Sequence, residues 1–341
     1  MGSERFLKAQ VGLQADFGTS VTPTIQVPWV VDYEDQSEEH EVEMDAGTWT
    51  PTTQVAEMAK FAVVKAKGTG IFEMIPVLLN SGLADVNATG ADPYTHTWTI
   101  SPAAVGVPKP ETFLGGAVGE NLGGTGPAGK LADQYLKTLV LSGNINDKAV
   151  SFEAEYFGTG YDDNSGAGYA FASVALPATM DVMNALKGQI NIQDAGVAGG
   201  DFATMTAFSC AILDWTWTLD TGLRPKWCLT NNVTTFAGVK YEPPSVEFDA
   251  TVRTTSANYA LVKVKKDART YQELQLIVNG LLTRALTVNM TGRWVECPTP
   301  HARQDGEVVM KAKFRAQTPH TQTTTPHFAA ITCVSKHNWG A

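Results

Sequence analysis

Cysteine is scarce in this chain: four in 341 residues, Cys210, Cys228, Cys297 and Cys333. That density excludes a disulfide-built framework. Two Cys-x-x-x-His pairs, Cys297 with His301 and Cys333 with His337, offer zinc donors in principle. Structural zinc uses tighter, more regular spacing, so the expectation is core thiols beside surface histidines and no metal. Long apolar runs are missing as well. No stretch approaches the roughly 18 residues of a membrane span. No basic-then-apolar opening precedes a cleavage site, and "MGSERF" lacks the hydroxyl of a myristoylation signal. The expectation is a soluble protein made and used without export. Basic residues are outnumbered, 25 Lys and Arg against 35 Asp and Glu, for a net charge of −10. Grip on nucleic acid comes mainly from Lys and Arg on phosphates, so such a chain is a poor candidate for it.

Catalytic signatures are absent too. No Gly-x-Ser-x-Gly or His-Glu-x-x-His pattern occurs, and three of the six histidines (His301, His320, His327) sit in Thr-Pro-His turns. The expectation is no catalytic residue and no cofactor. The segment "GGTGPAGKL" (123–131) imitates a phosphate loop through Gly124, Gly126, Gly129 and Lys130. It fails on its chemistry. Leu131 replaces the hydroxyl that would hold magnesium, Pro127 removes a backbone N–H, and a strand pattern follows instead of a helix. It reads as a flexible surface connection, and the Gly- and Pro-rich stretch 101–134 reads as loops that order on assembly.

What is abundant is β pattern. Clean alternation marks "YTHTWTI" (94–100), "CAILDWTWTLD" (210–220), "SVEFDATVRTT" (245–255) and "EVVMKAKFRAQ" (307–317). Residues 135–143 and 149–158 predict a hairpin around "NIND". Residues 274–290 predict another, joined at Asn279-Gly280. The stretch "IFEMIPVLLNSGLA" (71–84) predicts the main helix, with Ile71, Ile75, Leu78 and Leu79 on one face and Pro76 near its start. In "EEHEVEMD" (38–45), period-2 geometry puts Glu39, Glu41, Glu43 and Asp45 on one strand face. Four carboxylates there repel one another unless that face meets water. An ordinary solvated strand and the lining of a wet channel both satisfy this.

The chain divides into halves. Residues 1–165 hold 22 Asp/Glu against 9 Lys/Arg, a balance of −13, whereas residues 166–341 hold 13 against 16, a balance of +3. Opposite-signed halves suggest that one end of the protein meets the other end of a neighbour. The stretch "GTGYDDNSGAGYA" (158–170) is the natural boundary. Segments 52–84 and 245–282 look alike: each has a strand, a Lys-rich "VVKAK" or "VKVKK", then an apolar stretch, which suggests duplication.

Several pieces together resemble the tail tube proteins of long-tailed bacteriophages. These are the opening "FLKAQVGLQADFGTSVTPTIQVP" (6–28) with its Phe17-Gly18-Thr19 turn, the helix of 71–84, and the hairpin "LKTLVLSGNINDKAVSFEAEYFGTG" (136–160). The closing stretches "ALTVNMTGRWVECP" (285–298) and "QDGEVVMKAKFRAQ" (304–317) complete the set. The resemblance implies a mainly β fold, with sandwich- or barrel-like domains and a flanking helix. It implies rings stacked into a hollow virion tail tube, assembled in the host cytoplasm, that conducts the genome. The implied partners are further copies of the chain, the tape-measure protein and tail-tip or terminator proteins, with genomic DNA passing unbound. Tube proteins commonly carry one domain per chain. Tandem tube-like domains at 1–165 and 166–341 would let a homotrimer do the work of a homohexamer, and both stoichiometries stay open. Glu39, Glu41, Glu43 and Asp45 are then candidates for a lumen-facing acidic strand. Two alternatives compete. One is a carbohydrate- or receptor-binding β-sandwich presenting Trp98, Trp215 and Trp217, although alternation puts Trp215 and Trp217 on one strand face, which suits a core. The other is a tail completion or connector protein whose rings do not polymerise.

Overall fold

Alternating β-branched and aromatic residues fold as antiparallel strands throughout the computed structural model. It describes residues 4–6, 8–44, 52–83, 88–100, 108–116, 128–162, 169–177, 179–195, 202, 205–208, 212–228, 234–281, 283–297, 302–304, 306–318, 329–337 and 339. The first half contains β1 (Glu4–Phe6), β2 (Lys8–Leu13), β3 (Ile25–Val27), β4 (Val30–Asp35), β5 (Glu38–Met44), β6 (Thr52–Ala59) and β7 (Ala62–Thr69). A helical segment follows, a 3₁₀ turn Phe72–Met74 running into α1 (Ile75–Asn80). Then come β8 (Tyr94–Ile100), β9 (Glu111–Gly116), β10 (Gly129–Asn144), β11 (Val150–Gly158) and β12 (Tyr161–Asp162). The second half contains β13 (Gly188–Asp194), β14 (Thr206–Ala207), β15 (Ile212–Asp220), β16 (Leu223–Pro225), β17 (Val239–Tyr241) and β18 (Ser245–Arg253). Next is a helical run over 256–267, made of α2 (Ser256–Tyr259), a π turn and α3 (Lys265–Asp267). The chain continues through β19 (Gln272–Asn279), β20 (Ala285–Glu296), β21 (Ala302–Gln304), β22 (Glu307–Ala316) and β23 (Ala329–Ser335).

One row of paired strands runs β1-β4-β7-β11-β10-β15-β18-β22-β20. A second layer places β3, β2 and β9 beside the first part of β10, with β12 on its other side. Likewise β14, β13 and β19 lie beside the first part of β20, with β23 and β8 beyond it. β10 and β20 are long enough to serve both layers. Most of the core lies between the layers as one large apolar cluster, with Phe113 of β9 meeting Tyr156 of β11 edge-on at 5.1 Å, and a second, small cluster gathers Tyr135, Phe157, Leu223 and Phe236. A single-sided apolar face on each strand is what such packing requires.

The pairings recur. The order β2-β9-β10-β11-β7-β4 is matched by β13-β19-β20-β22-β18-β15. Register recurs as well. Asp32, Lys65, Glu155 and Thr138 lie in one cross-strand line; Thr216, Asp249, Lys313 and Glu296 lie in another. A bulge falls at the same step in both, between Leu136 and Thr138 and between Trp294 and Glu296. Helical turns follow β7 in one set and β18 in the other.

Several expectations need correction. The 71–84 stretch is helical with Pro at its first turn, yet every residue from Phe72 to Asn80 is buried, so no polar face exists. It is a wholly enclosed helix rather than an amphipathic one. The Lys-rich match between the halves fails: residues 63–67 lie in β7, whereas 262–266 lie in the helical run. The partner of β7 in the recurring order is β18. The Asn279-Gly280 hairpin forms, but through residues 280–284 rather than a two-residue turn. A Cβ on Gly280 would stand 2.5 Å from Asp181 and 2.6 Å from Phe72, so close approach requires this glycine. Within 101–134, the described residues 108–116 and 128–134 are mostly buried strand, not surface loop; residues 101–107 and 117–127 lie outside the described residues. The proposed boundary at 165/166 also lies outside them. Among the described residues, no helix is long and apolar enough to cross a membrane.

Candidate functional site

The row of strands presents a face opposite the core. Inward side chains on it are apolar, among them Val64, Ala66, Phe152, Ala154, Leu139, Leu141, Trp217, Leu219, Phe248, Ala250 and Phe314. Outward positions at the alternate parity are mostly polar and at least partly exposed, with Val63, Val140 and the buried Phe157 as apolar exceptions and Thr251 buried. They form cross-strand lines that run the width of the sheet. In one, Lys65 lies between Asp32 and Glu155, and Thr138 and Asp220 follow. In the next, Lys67 adjoins Glu153, followed by Val140, Thr218, Glu247 and Arg315. A third carries hydroxyls, Thr69, Ser151, Ser142 and Thr216, before Asp249 and Lys313. Ser142 and Thr216 hydroxyls are 3.2 Å apart.

Opposite charges on neighbouring strands stabilise such a face and neutralise its lysines. Lys137 reaches Glu155 at 2.5 Å, Lys313 and Arg315 reach Glu247 at 2.6 and 2.8 Å, and Lys67 lies 3.7 Å from Asp32. Partial burial pushes the Glu247 carboxyl up, but hydrogen bonds from Lys313 and Arg315 outweigh it and hold it below the usual range. Asp249, beside it, is raised: burial is the main cause, Lys313 opposes it, and Glu247 and Glu296 add repulsion. Asp220 is lowered because the Arg224 fork, at 2.8 and 3.1 Å, and the Gly222 N–H overcome its burial. Among the described residues this face is charged, and Lys67, Lys137, Lys313 and Arg315 each have a carboxylate partner. Among the described residues no group of His, Cys, Asp or Glu could hold a metal ion.

The row ends in two strand edges. At one end β1 covers part of β4. At the other, Arg293–Glu296 of β20 and Ala302–Gln304 of β21 are paired with β22. Edge strands expose unmatched backbone groups and are templates for another chain. Near the tip of the β10–β11 hairpin lies a cleft of about 520 Å³, bounded by Gly143, Ile145, Leu186, Ile190, Phe208 and Trp215.

The acidic strand proposed from sequence forms as β5, but it pairs with β6 in a two-stranded sheet of its own, continuing the β4–β7 pair beyond the main row. Glu39 is exposed and stands opposite Glu57. Glu41 and Glu43 lie in β5 with side chains outside the described residues, and Asp45 lies wholly outside them. The outward residues of the row, by contrast, escape sequence reasoning, because each line draws on strands distant in the chain. Their signal was the alternation itself, which fixes parity but not neighbours. Trp98, Trp215 and Trp217 are 1%, 6% and 1% exposed, so none offers a sugar-stacking platform. Cys297 and Cys333 are buried; the Cys333 thiol donates to the Phe72 carbonyl at 3.4 Å. His301, His320 and His327 lie outside the described residues.

One buried polar cluster ties the halves together. Glu73, ahead of α1, is fully buried, and its Oε2 accepts from the Asp181 N–H at 2.8 Å. Arg284 Nε lies 2.8 Å from Glu73 Oε1, an ionic contact without good hydrogen-bond alignment, and Nη1 lies 3.7 Å from Asp181. Trp339 donates its indole N–H to the Glu73 carbonyl at 2.6 Å.

Comparison with protein-family models returns no match, and comparison with curated proteins returns none either.

Proposed function

We propose that this chain is a structural tube protein of the kind built into the tails of long-tailed bacteriophages. The observation that carries the reading is the recurring strand order within one polar-faced sheet that ends in two edges. A sheet of this kind, repeated by heterologous contacts, closes into a ring. The polar face then lines the lumen, and the recurrence supports tandem tube-like domains, so that three chains supply six domains. Paired charges and hydroxyls suit a conduit: several of the lysines that phosphates meet, Lys67, Lys137 and Lys313, already have carboxylate partners, and DNA passes without adhesion. The net charge of −10 favours the same outcome. The β5–β6 hairpin and the cleft by the β10–β11 tip are the natural stacking elements. In this reading tape-measure and terminator proteins are further partners, and the virion tail is the site of action.

Electron microscopy of the concentrated protein tests the reading. Long hollow tubes are expected. Closed rings that never stack would move the assignment to a connector, and monomers at every concentration and salt would remove it.

A further inference from the structure

We infer that β1 occupies the place of a neighbour's strand and leaves β4 when copies join edge to edge; this rests on the ring-forming reading above. The inference comes from the recurrence within the chain. Asp32 in β4 and Thr216 in β15 hold the same position, each at the start of the equivalent lines through Lys65 and Glu155 or through Asp249 and Lys313. On its outer side β15 carries β10, antiparallel, with register from Thr138↔Asp220 to Asn144↔Asp214. On the same side, among the described residues, β4 carries β1 alone, antiparallel, through Glu4↔Tyr33, Arg5↔Asp32 and Phe6↔Val31.

The missing counterpart is present at the far end of the row. β20 is the equivalent of β10, with the same bulge, and β21 continues it: Ala302 stands opposite Val309 as Ser142 stands opposite Ser151. Yet β10 meets β15, whereas among the described residues Arg293–Glu296 and Ala302–Gln304 pair with β22 alone. The outer edge of β20–β21 from a second copy therefore has the direction needed to lie on β4 as β10 lies on β15. β1 and that neighbour strand cannot both be there. A three-residue pairing is a weak occupant, enough to blunt an edge in the free chain and weak enough to give way to a longer one. The consequence is a barrier to assembly that keeps single copies apart until a neighbour or a growing end competes for β4.

Two variants test this, with Cys228→Ser as the parent to remove the exposed thiol. A chain lacking residues 1–7 should assemble at about tenfold lower critical concentration, because three cross-strand pairs of modest strength no longer compete. The second variant, Arg5→Cys with Asp32→Cys, ties β1 to β4 by a disulfide. It should stay monomeric when oxidised and assemble on reduction, as read by light scattering and microscopy. Assembly of the oxidised, cross-linked chain at the parental rate would overturn the role of β1 and leave the ring-forming reading standing. So would an unchanged critical concentration in the shortened chain. Failure of the parent and both variants to assemble would overturn both.

Discussion

Replacing Arg284 with alanine should unfold much of the margin that keeps this protein native. Arg284 is 9% exposed, and it lies 2.8 Å from a fully buried Glu73 and 3.7 Å from Asp181. Without it, two buried carboxylates lose their guanidinium partner. Removing one partner of a buried pair costs about 3–5 kcal/mol, mainly through the uncompensated charge left behind. Backbone N–H donation softens the loss: Asp181 donates to Glu73, and Leu281 donates to Asp181. A loss of about 4 kcal/mol is therefore expected, set against a total stability of about 5–15 kcal/mol for a typical native protein. The assay is urea unfolding of the unassembled chain, followed by tryptophan fluorescence and far-ultraviolet circular dichroism. Trp339 donates to the Glu73 carbonyl, so its emission should report this site. The neutral triple variant Glu73→Gln, Asp181→Asn, Arg284→Met should recover most of the loss, since apolar or neutral replacement of a buried ionic group is often tolerated. A loss below about 1 kcal/mol in Arg284→Ala, the range of an exposed pair, would refute the view that this cluster is buried and coupled. So would a triple variant no better than the single one.

Further outcomes follow from other sites. Glu111 is fully buried and its carboxyl is raised chiefly by burial, with the Ser81 hydroxyl opposing. A raised carboxyl binds protons more tightly folded than unfolded, so its contribution weakens as pH climbs past the unfolded value. Glu111→Gln should thus raise the unfolding midpoint at pH 8 more than at pH 5, and an equal rise at both would contradict this. Glu247 and Asp220 are held low, so their contribution is present above the unfolded carboxylate value and is lost as pH falls through the folded one. Glu247→Gln should flatten the acid limb of stability below about pH 4, with a neutral-pH cost of about 1 kcal/mol or less because the site is partly exposed. Glu153→Lys with Asp249→Lys should leave tubes intact but make DNA adhere, measured as slowed ejection with salt-sensitive retention. Glu41→Lys with Glu43→Lys should change stability by no more than roughly ±0.5 kcal/mol, because four carboxylates alternating along one strand repel one another unless their face meets water. Altered DNA passage through tubes of normal length would place β5 in the lumen, whereas failed tube growth would place it at a stacking contact.

Much of the fold was legible where strands keep one face wet. Residues 212–220, 245–253 and 307–316 alternate because a polar face and a core face both exist. Legibility failed where that contrast vanishes. β9, "ETFLGG", is buried on both faces and rich in glycine, so it imitated a loop. The run "ALVKVKK" alternates like a strand yet is helical, because Thr255 caps it by accepting from the Asn258 N–H and the following residues continue the turn. The acidic strand was visible because its carboxylates are contiguous. The polar face was not, because Lys65, Glu155, Asp220 and Glu247 become neighbours only through long-range pairing.

The central claim is that copies join edge to edge into rings whose lumen is the polar face of the long sheet. Helical reconstruction of the assembled protein by electron cryomicroscopy measures this directly. The account predicts a hollow tube of three-chain rings, with β4 of each chain beside β20–β21 of the next and Lys65, Glu153, Thr216 and Asp249 facing the channel. Rings in which that face points outward, or in which β4 and β20 never meet across copies, would contradict it.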